Sequence, residues 1–451
     1  MVSVGPEARA HEVHDRARSE LLQDVFGLLN RAGLEFCVLD GYDSYPDVIH
    51  TDVDILVQSP ARVAKLLTDS EIVTIVQAVQ YEAGSFCYVL CRINNGKPTF
   101  LSLDVSFDYR DQGRIFFRGP EFLGKVKPYG CFFVPTPALE FACYFVKKIT
   151  KGDLNASHGA RLTRLYHMDP EGCAVQLRGL LPDDDAGFVA AASSSGQWDQ
   201  VRAHLARLRR SLLSYARRRR PVELLEYWTG ELLRWGRRLI WPAGLVIAFI
   251  GPDGVGKSTV ARLVEHRLAP MFRSTRRYHL RPHLGRMGDG GTPVIEPHAQ
   301  PPRGLIASIA KIGLWWTDYF ISYLIDILPR KVRVGLVIFD RHFLDLAVDP
   351  VRYRYGGPLW LGRIMGRLAP PICSIVFFLD APAALIRSRK TEVPLDEIER
   401  QRLAYLRLAQ SLPNGHVIDA SRPLDLVVAS ILEKVLAAMR TRIARRLGAG
   451  G

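Results

Sequence analysis

Eight residues near the middle of the chain constrain its fold more than any other feature. They read Gly-Pro-Asp-Gly-Val-Gly-Lys-Ser over residues 251–258 and match the pattern G-x-x-x-x-G-K-[ST] at every position. An apolar run, Leu245–Ile250, precedes them, and a helical pattern, Thr259–Leu268, follows. In this order, successive backbone N–H groups of the loop can point at phosphates, and the helix N-terminus adds a positive dipole. The segment therefore predicts a site for a nucleoside triphosphate.

The pattern assigns separate roles to the residues of this loop. The Lys257 ammonium is expected on the β- and γ-phosphates, and the Ser258 hydroxyl on Mg²⁺. ATP and Mg²⁺ are therefore the predicted cofactors. The residues predicted to bind the nucleotide are Gly251, Asp253, Gly254, Val255, Gly256, Lys257, Ser258 and Thr259.

Charge is distributed unevenly along the 451 residues. The chain has 60 Lys and Arg against 46 Asp and Glu, which gives a net charge of +14. Residues 1–200 carry a net charge of −7, and residues 201–451 carry one of +21. The basic half would attract polyanions, which include nucleoside triphosphates, nucleic acid and an anionic membrane surface. The length itself predicts two or three domains.

Cysteine usage and the N-terminus predict a cytoplasmic location. The seven cysteines are scattered, with no C-x-x-C pair, so neither a disulfide framework nor a zinc cluster is indicated. The N-terminus is charged where an export signal needs an apolar stretch. The longest apolar segment, Leu305–Leu328, contains Lys311, Asp318 and Asp326. Their spacing places the three charges on one face and predicts a packed amphipathic helix rather than a membrane span.

Changes in pattern divide the chain into four stretches. In residues 1–180, short apolar runs alternate with helical patterns, which is typical of an α/β or α+β domain. Residues 181–244 begin with a polar stretch, residues 181–200, predicted as a surface loop, and continue as a basic helical connector. In residues 245–440, strands alternate with helices, as in a parallel sheet covered on both faces. Residues 441–451 are expected to form a flexible basic, glycine-containing tail.

The basic connector permits two interpretations. It includes Arg217–Arg220 and the aromatic and basic segment Tyr227–Trp241. One interpretation is a solvated helix face, and the other is a weak contact surface for anionic lipid or nucleic acid. The sequence leaves both open.

Three segments in the second half of the chain resemble the thymidylate kinases. They read FIGPDGVGKSTVARLV, VIFDRHFLD and SIVFFLDAPAALIRSRKTEVPLDEIERQRLAYLRL, in that order, within residues 245–440. The resemblance implies a P-loop NTPase-type parallel sheet with helices on both faces. It also implies an ATP-dependent phosphotransferase that moves the γ-phosphoryl group to a small phosphorylated or hydroxylated acceptor, by default a nucleoside monophosphate. A homodimer is compatible with this interpretation.

Two residues at the end of a predicted strand, Asp340 and Arg341, are expected to bind Mg²⁺ and the acceptor. Asp340 follows the apolar run Gly335–Phe339, so its carboxylate should emerge at the carboxyl edge of the sheet, where open α/β sheets bind ligands. There it would hold Mg²⁺ directly or through water. Arg341 would clamp the acceptor's phosphate with its forked guanidinium.

Further charged residues complete the predicted catalytic set. Arg387 and Arg389 follow the apolar strand Ile372–Leu379 and would close over the transferring phosphoryl group, where they would neutralise its charge. The resemblance also implies that Asp253 orients the acceptor. The predicted catalytic residues are Lys257, Asp340, Arg341, Asp253, Arg387 and Arg389.

Departures from the thymidylate kinase pattern leave the acceptor open. His342 stands where these kinases have tyrosine, and only Arg281-Pro282 remains of their T-R-E-P-G-G-T turn. The Gly/Pro-rich insertion Gly285–Pro302 is predicted to be a mobile acceptor loop. In the segment Arg352–Tyr355, two arginines alternate with two tyrosines and would suit another anionic or sugar-containing acceptor. Thymidylate is the default acceptor by resemblance alone.

Three histidines and three aromatic residues are interpreted as structural residues rather than as parts of a site. His279, His283 and His298 lack the spacing of metal ligands and are expected to be loop histidines. Three aromatic residues of the long apolar segment are expected in the core, namely Trp315, Trp316 and Tyr319.

A second group of candidate site residues lies within residues 1–180. The glycine turn Gly41-Tyr42 is followed by Asp52 and Asp54, and Asp104 lies in a later apolar run. Because side chains alternate along a strand, the first two carboxylates should face one side. The arrangement resembles the nucleotidyltransferase superfamily and implies an α/β domain of that kind. Converging carboxylates require a divalent cation, here Mg²⁺. The predicted metal-binding residues are Ser258, Asp340, Asp52, Asp54 and Asp104.

Other interpretations of this domain and of the whole chain stay open. The carboxylates also fit solvent-facing positions on an edge strand, and the domain fits a non-catalytic nucleotidyltransferase-like fold. Lys147, Lys148 and Lys151 fit either nucleotide phosphates or a solvated helix face. Two functions compete with phosphoryl transfer. One is nucleotidyl transfer through the N-terminal carboxylates, and the other is a nucleotide-dependent switch or scaffold without rapid turnover.

Overall fold

Two units make up the chain in the computed structural model. The structure describes residues 6–49, 52–82, 84–94, 96–111, 113–219, 223–282, 301–391 and 393–448. Unit 1 comprises Met1–Arg237 together with Arg442–Gly451, and unit 2 comprises Arg238–Thr441.

Unit 1 begins with a helix and a mixed sheet. Its first elements are α1 (Pro6–Arg31), β1 (Phe36–Val38), β2 (Val53–Val57), α2 (Pro60–Asp69), β3 (Thr74–Glu82), β4 (Ser85–Asn94), β5 (Lys97–Ser106), β6 (Tyr109–Asp111), β7 (Arg114–Phe117), α3 (Gly119–Leu123), β8 (Val126–Tyr129) and β9 (Phe132–Pro135). The strand order is β1-β2-β5-β4-β3. Strands β2 and β5 are parallel, and the other neighbours are antiparallel. Strands β6 with β7, and β8 with β9, form two small antiparallel ladders.

Helices complete unit 1. They are α4 (Pro137–Lys151), α5 (Ala156–Met168), α6 (Pro170–Leu180), α7 (Asp183–Ser195), α8 (Trp198–Ala203), α9 (Leu205–Arg219) and α10 (Glu223–Ile240). Helix α10 crosses the boundary between the units at Arg237. A core of leucines and phenylalanines, including Phe141 and Phe145, is shared by α4 to α9.

The prediction of a surface loop over residues 181–200 is wrong, because Asp183–Ser195 forms α7 and α8 begins at Trp198. Three aspartates occupy the first turn of α7, where carboxylates stabilise the positive end of a helix dipole. Gly196 ends the helix in the left-handed conformation, with φ 73°. Ala186 and Val189 of α7, and Leu212 of α9, lie in the same core as α4. The first part of the predicted connector is therefore a packed part of unit 1.

Unit 2 contains a parallel sheet with helices on both faces. Its elements are β10 (Leu245–Ile250), α11 (Lys257–Leu268), β11 (Ser274–His279), α12 (Leu305–Ser322), α13 (Leu328–Val332), β12 (Gly335–Asp340), α14 (Leu359–Leu368), β13 (Ile375–Asp380), α15 (Ala383–Arg389), α16 (Leu395–Gln410), β14 (Gly415–Asp419) and α17 (Leu424–Gly448). The strand order is β11-β12-β10-β13-β14, and all neighbours are parallel. Strand β10 is buried along its whole length at the centre. This architecture agrees with a P-loop NTPase fold.

The long apolar segment of unit 2 is a packed helix. Helix α12 continues through a π-helical turn, Tyr323–Ile327, into α13. Trp315 and Tyr319 are buried in the core of unit 2, and Trp316 packs partly against it. Within the described ranges, the chain has no helix that is both long and apolar enough to cross a membrane.

The flexible tail predicted for residues 441–451 is wrong over residues 441–448, which extend α17. Ile443 is buried in the core of unit 1, and Leu447 packs partly against the same core. The two residues are four positions apart, which places them on one face of a helix. Residues 283–300 and 449–451 lie outside the described ranges. Most of the predicted acceptor loop, Gly285–Pro302, therefore lies outside them too, as do His283 and His298.

Candidate active site

The glycine-rich loop joins the central strand β10 to α11. Gly251 has φ 151°, and a Cβ there would lie 2.4 Å from the carbonyl oxygen of Leu379 on the neighbouring strand β13. Gly254 has φ 86°, and a Cβ there would lie 3.0 Å from the carbonyl oxygen of Ile386. Only glycine fits these two positions without strain. The loop therefore runs close to β13 and α15 before the helix begins at Lys257.

Lys257 is buried at the base of this loop. Its Nζ donates to the carbonyl oxygens of Gly251 at 2.8 Å and Pro252 at 2.7 Å. Burial and the nearby Arg341 guanidinium lower the pKa of Lys257 to about 8. The ammonium is thus held against backbone dipoles, which a phosphate oxygen would replace as a stronger, charged acceptor.

Asp253 lies at the centre of a buried cluster of charges. Its carboxylate accepts hydrogen bonds from the guanidinium groups of Arg341 and Arg352, and lies 3.6 Å from Nζ of Lys257 and 3.8 Å from Nζ of Lys390. Burial alone would raise the pKa of Asp253, yet Lys257 and the two arginines hold it well below its usual range. The ionised carboxylate therefore fixes both guanidinium groups beside the glycine-rich loop.

Asp340 ends strand β12 beside the start of the glycine-rich loop. Its Cα is in register with Phe249, one residue before the end of β10. Burial would raise the pKa of Asp340, but the nearby side chains of His279 and Ser258, together with the Lys257 ammonium, lower it. Buried Oδ1 of Asp340 has no hydrogen-bond partner in the part of the chain that the structure describes. The structure thus brings together the two residues predicted to hold Mg²⁺ in this unit, Ser258 and Asp340.

These two oxygen ligands fit a nucleotide-bound Mg²⁺. No three His, Cys, Asp or Glu side chains among the described residues are grouped so that they could hold a metal ion alone. Mg²⁺ at such sites usually keeps several waters and is bound through one or two protein oxygens plus substrate phosphates, so it needs no such group. His279 departs from its prediction, because it ends strand β11 and its Nδ1 lies 3.7 Å from Oδ2 of Asp340.

The backbone at Arg341 turns sharply after β12. Arg341 has φ 81°, which is rare for a residue with a side chain, and its N–H donates to the carbonyl oxygen of Phe249 at 3.0 Å. This turn directs the guanidinium toward Asp253. His342 is buried, which lowers its pKa to about 4, and its Nδ1 accepts from the N–H of Leu344. His342 is therefore a neutral cap inside the fold.

Sequence reasoning missed the buried residues that support this turn. The carboxylate of Asp345 accepts from the N–H of His342 at 3.0 Å and from the hydroxyl of Tyr405 at 2.8 Å. The sequence signal that could have revealed Asp345 was its position four residues after Arg341, where a helix-capping residue is expected. Arg352, which the sequence suggested for the acceptor, is bonded to Asp253.

The two arginines predicted to close over the phosphoryl group differ in position. Nη1 of Arg389, at the end of α15, lies 3.4 Å from the carbonyl oxygen of Val255 and so borders the glycine-rich loop. Arg387 is exposed and lines a shallow cavity with Pro394 and Glu399. Only Arg389 of this pair therefore has a contact with the loop in the described structure.

The N-terminal carboxylates are partly brought together in unit 1. Asp54 of β2 and Asp104 of β5 are in register on parallel neighbouring strands, so their side chains face the same side. Asp52 is exposed and precedes β2. Burial, with Asp40 and Asp52 nearby, raises the pKa of Asp54 even though Lys147 opposes this effect. Lys147 itself lies 3.0 Å from Asp40.

Other residues of the N-terminal prediction have internal partners. The hydroxyl of Tyr42 donates to Glu140 at 2.6 Å. Nζ of Lys148 lies 3.6 Å from Asp153, and Lys151 is exposed. Tyr42 thus takes part in the packing of unit 1, and the two interpretations of the lysines stay open.

The parallel sheet, the glycine-rich loop and the aspartate at the end of the neighbouring strand are typical of the P-loop NTPases. A scan against protein-family models gives no match. Relatives of about 30% identity are, however, found among curated proteins. A thymidylate kinase of Xanthomonas euvesicatoria pv. vesicatoria (strain 85-10) is 30% identical over 212 residues, which are 45% of this chain and 88% of the relative. A thymidylate kinase of Leifsonia xyli subsp. xyli (strain CTCB07) is 31% identical over 210 residues, 42% of this chain and 92% of the relative. The chain belongs to the thymidylate kinase family, and these relatives support a nucleotide kinase activity.

Proposed function

We propose that the chain catalyses Mg²⁺-dependent transfer of the ATP γ-phosphoryl group to a small phosphorylated acceptor, with a nucleoside monophosphate as the default. One observation carries this proposal. Three charged groups meet at the carboxyl edge of one sheet, namely the buried ammonium of Lys257, the carboxylate of Asp340 and the buried guanidinium of Arg341. One oxygen of that carboxylate has no partner among the described residues. Phosphoryl transfer depends mainly on positioning and charge neutralisation, which such groups supply.

The contacts of Lys257, Ser258 and Asp340 support their proposed roles in binding ATP and Mg²⁺. Lys257 would exchange its hydrogen bonds to the loop carbonyls for oxygens of the β- and γ-phosphates. Ser258 and Asp340 would hold Mg²⁺, which when bound neutralises phosphate charge. The loop amides from Gly254 to Thr259 would line the phosphates.

The acceptor side is formed by guanidinium groups held on Asp253. Arg341 and Arg352 are both bonded to this carboxylate, so they are oriented before an acceptor arrives. A forked guanidinium binds a phosphate through two hydrogen bonds, which favours a phosphorylated acceptor over one with only hydroxyls. Arg389 would add positive charge from the α15 side, and Arg387 would do so only if α15 moves.

A screen for acceptor-stimulated ADP release tests this proposal. Purified full-length protein would be mixed with ATP, Mg²⁺ and each of a set of nucleoside monophosphates and phosphosugars. Lys257→Ala serves as the blank, and exposed Lys125→Ala serves as the matched control. We expect at least one phosphorylated acceptor to raise ADP release, and Arg352→Lys to raise its KM more than it lowers kcat. ATP binding without any acceptor-stimulated ADP release would contradict the kinase and favour a nucleotide-dependent switch.

Unit 1 supports a second candidate function, nucleotidyl transfer. The observation that favours it is the register of Asp54 with Asp104, beside Asp40 and Lys147. Two carboxylates on one face of a sheet fit Mg²⁺ together with a triphosphate. The predicted Asp52, just before β2, would be the third.

Pyrophosphate release in a Lys257→Ala background tests this second function, because the kinase site is then silent. We expect Asp52→Asn with Asp54→Asn to abolish pyrophosphate release from nucleoside triphosphates. The exposed Asp69→Asn is the control. If the paired substitution leaves pyrophosphate release unchanged, the catalytic interpretation of unit 1 is wrong.

A further inference from the structure

Four positively charged side chains crowd together in unit 2, outside the glycine-rich loop. They are Arg281, Arg303, Lys311 and Arg354. Lys311, on α12, is close to all three arginines, because burial and their guanidinium groups lower its pKa to about 8. None of the four is one of the two arginines that Asp253 holds. The proposed transfer of one phosphoryl group to one phosphate does not require this second group of cations.

A hydrogen bond and an aromatic ring hold two members of this cluster. Nζ of Lys311 donates to the carbonyl oxygen of Tyr353 at 2.6 Å. The same Nζ lies 5.0 Å from the centre of the Trp315 ring, and Cζ of Arg281 lies 5.8 Å from it. Arg281 is also paired with Asp318, at 3.1 Å. Both cations are attracted to one ring, so they are held close to each other before any ligand binds.

The segment before α12 brings the other two arginines together. The N–H of Arg303 donates to the carbonyl oxygen of Arg354 at 3.1 Å. The Ser308 hydroxyl joins the same two segments, because it donates to the carbonyl oxygen of Arg303 at 3.2 Å and accepts from the N–H of Gly356 at 2.9 Å. Arg354 has φ 49°, which is uncommon for a residue with a side chain. The backbone therefore holds these two positions side by side despite their like charges.

Tyr353 connects the cluster to the arginines of the proposed acceptor side. Its carbonyl oxygen accepts from Lys311. At its other end, burial would lower the pKa of Arg341, but the nearby Tyr353 phenol group and the Asp253 carboxylate raise it. Tyr353 is 7% exposed, and its hydroxyl has no hydrogen-bond partner among the described residues. Because a buried hydroxyl without a partner is costly, this position favours a polar ligand atom between the two groups of cations.

We propose that this cluster binds a second phosphate group of the acceptor, so that the acceptor is a sugar or nucleoside that carries two phosphates. The inference rests on the proposed function, in which Arg341 and Arg352 hold the first phosphate. Like charges held this close repel one another, and an anion bound among them relieves the repulsion. The guanidinium groups can each bind a phosphate through two hydrogen bonds, and Lys311 adds a further donor.

An uncharged group fits the cluster less well. A nucleobase or a bare sugar would leave the positive charges uncompensated in a partly buried place. Trp315 is 7% exposed and packs in the core of unit 2, so it offers little ring surface on which a base could stack. The second phosphate should therefore contribute more to binding than the identity of a base.

Paired ligands that differ by one phosphate test the proposal. The probes are thymidine monophosphate and thymidine bisphosphate, which has one phosphate on each ribose hydroxyl, and fructose monophosphate and fructose bisphosphate. Calorimetry would measure their affinities for the full-length protein, with a non-hydrolysable ATP analogue and Mg²⁺ present to fill the ATP site. We expect at least one bisphosphate to bind about tenfold or more tightly than its monophosphate. The pair that shows the gain identifies the sugar as free or as part of a nucleoside.

Variants of the cluster separate the second phosphate from the first. Arg303→Gln with Lys311→Gln should reduce the advantage of the bisphosphate about fivefold or more. Arg303→Gln alone, at an exposed position that is unlikely to affect folding, should reduce it in part. Exposed Arg333→Gln is the matched control, because it removes one positive charge just before β12, at the opposite edge of the sheet. It should keep the full advantage.

Binding and turnover distinguish this proposal from the proposed function. ADP release would be measured with ATP and the same ligands. A gain in bisphosphate affinity that the double variant loses would support the second phosphate site, and would do so even if no ligand stimulated ADP release, a result that would contradict the kinase. Equal affinities for monophosphate and bisphosphate in both pairs would overturn the site, and so would a gain that persists in the double variant.

Discussion

Asp253 shows how a single side chain organises the proposed site. A buried carboxylate is costly alone, but Arg341, Arg352 and Lys257 surround this one and keep it ionised. The role of this buried cluster is therefore to orient two guanidinium groups rather than to stabilise the fold. The sequence predicted Asp253, Lys257 and Arg341 as site residues because they lie in short patterns. It could not predict that Asp253 bonds Arg352, ninety-nine positions away.

Lys311 of α12 tests whether neighbouring positive charges lower the stability of the folded chain. Burial and the nearby Arg303, Arg354 and Arg281 lower the pKa of Lys311 to about 8, from a usual value of 10.5. At pH 7 the lysine is charged in both folded and unfolded chains, and the folded state bears the full cost of the crowding. Above pH 10.5 it is neutral in both, and that cost is gone.

We therefore expect Lys311→Met to be relatively more stabilising at pH 7 than at pH 10.5. Since Lys311 is half-exposed, solvent screening limits the difference to about 1 kcal/mol. Urea unfolding at the two pH values measures it, and comparing them cancels the lost hydrogen bond to the Tyr353 carbonyl. Exposed Lys125→Met is the control. An equal effect of Lys311→Met at both pH values would refute this account.

Helices and strands were predictable where their pattern was local. The apolar runs predicted at β10 and β12 are strands over nearly the expected residues. Strand β3 was missed because Gln77 and Gln80 interrupt its apolar run, and it is held instead by pairing with β4. Helix α7 was missed because its aspartates and serines resemble a loop. The partners that fix it, Arg207 and Ser211, lie on α9.

Asp185 of α7 tests whether that element is fixed by tertiary contacts. The buried carboxylate accepts from Nη2 of Arg207 at 2.7 Å and from Oγ of Ser211 at 2.6 Å. We expect Asp185→Ala to lower the free energy of unfolding by about 1–3 kcal/mol, because both donors lose a partner. Exposed Asp184→Ala should change it by under about 0.5 kcal/mol. Denaturant unfolding followed by circular dichroism compares them, and equal effects would show that α7 depends on local propensity.

At the scale of the whole molecule, the chain does not divide at a single point. Unit 1 includes residues from both ends of the sequence, and Ile443 of α17 is buried in its core. Sequence patterns compare only neighbouring residues. They therefore predicted that each domain is one continuous stretch of the chain. They could not show that the last helix returns to the first unit.

Ile443→Ala tests this return of the chain. Removal of a buried isoleucine side chain should cost about 2–4 kcal/mol, and the loss should fall on unit 1. Hydrogen exchange read by mass spectrometry would report β2 of unit 1 and β10 of unit 2 separately. We expect faster exchange in β2 and little change in β10, with exposed Arg445→Ala as the control. Unchanged exchange in β2 would mean that α17 does not stabilise unit 1.

We expect Lys257, Ser258 and Asp340 to form one site for Mg²⁺ and ATP at the edge of the parallel sheet. Calorimetric titration of the full-length protein with ATP, with and without Mg²⁺, measures this most directly. We expect Lys257→Ala to weaken ATP binding by about tenfold to hundredfold. Asp340→Asn should remove the gain in affinity that Mg²⁺ gives while binding of free ATP persists, with exposed Asp425→Asn as the control. Undiminished affinity of Lys257→Ala for Mg²⁺ and ATP would contradict this expectation.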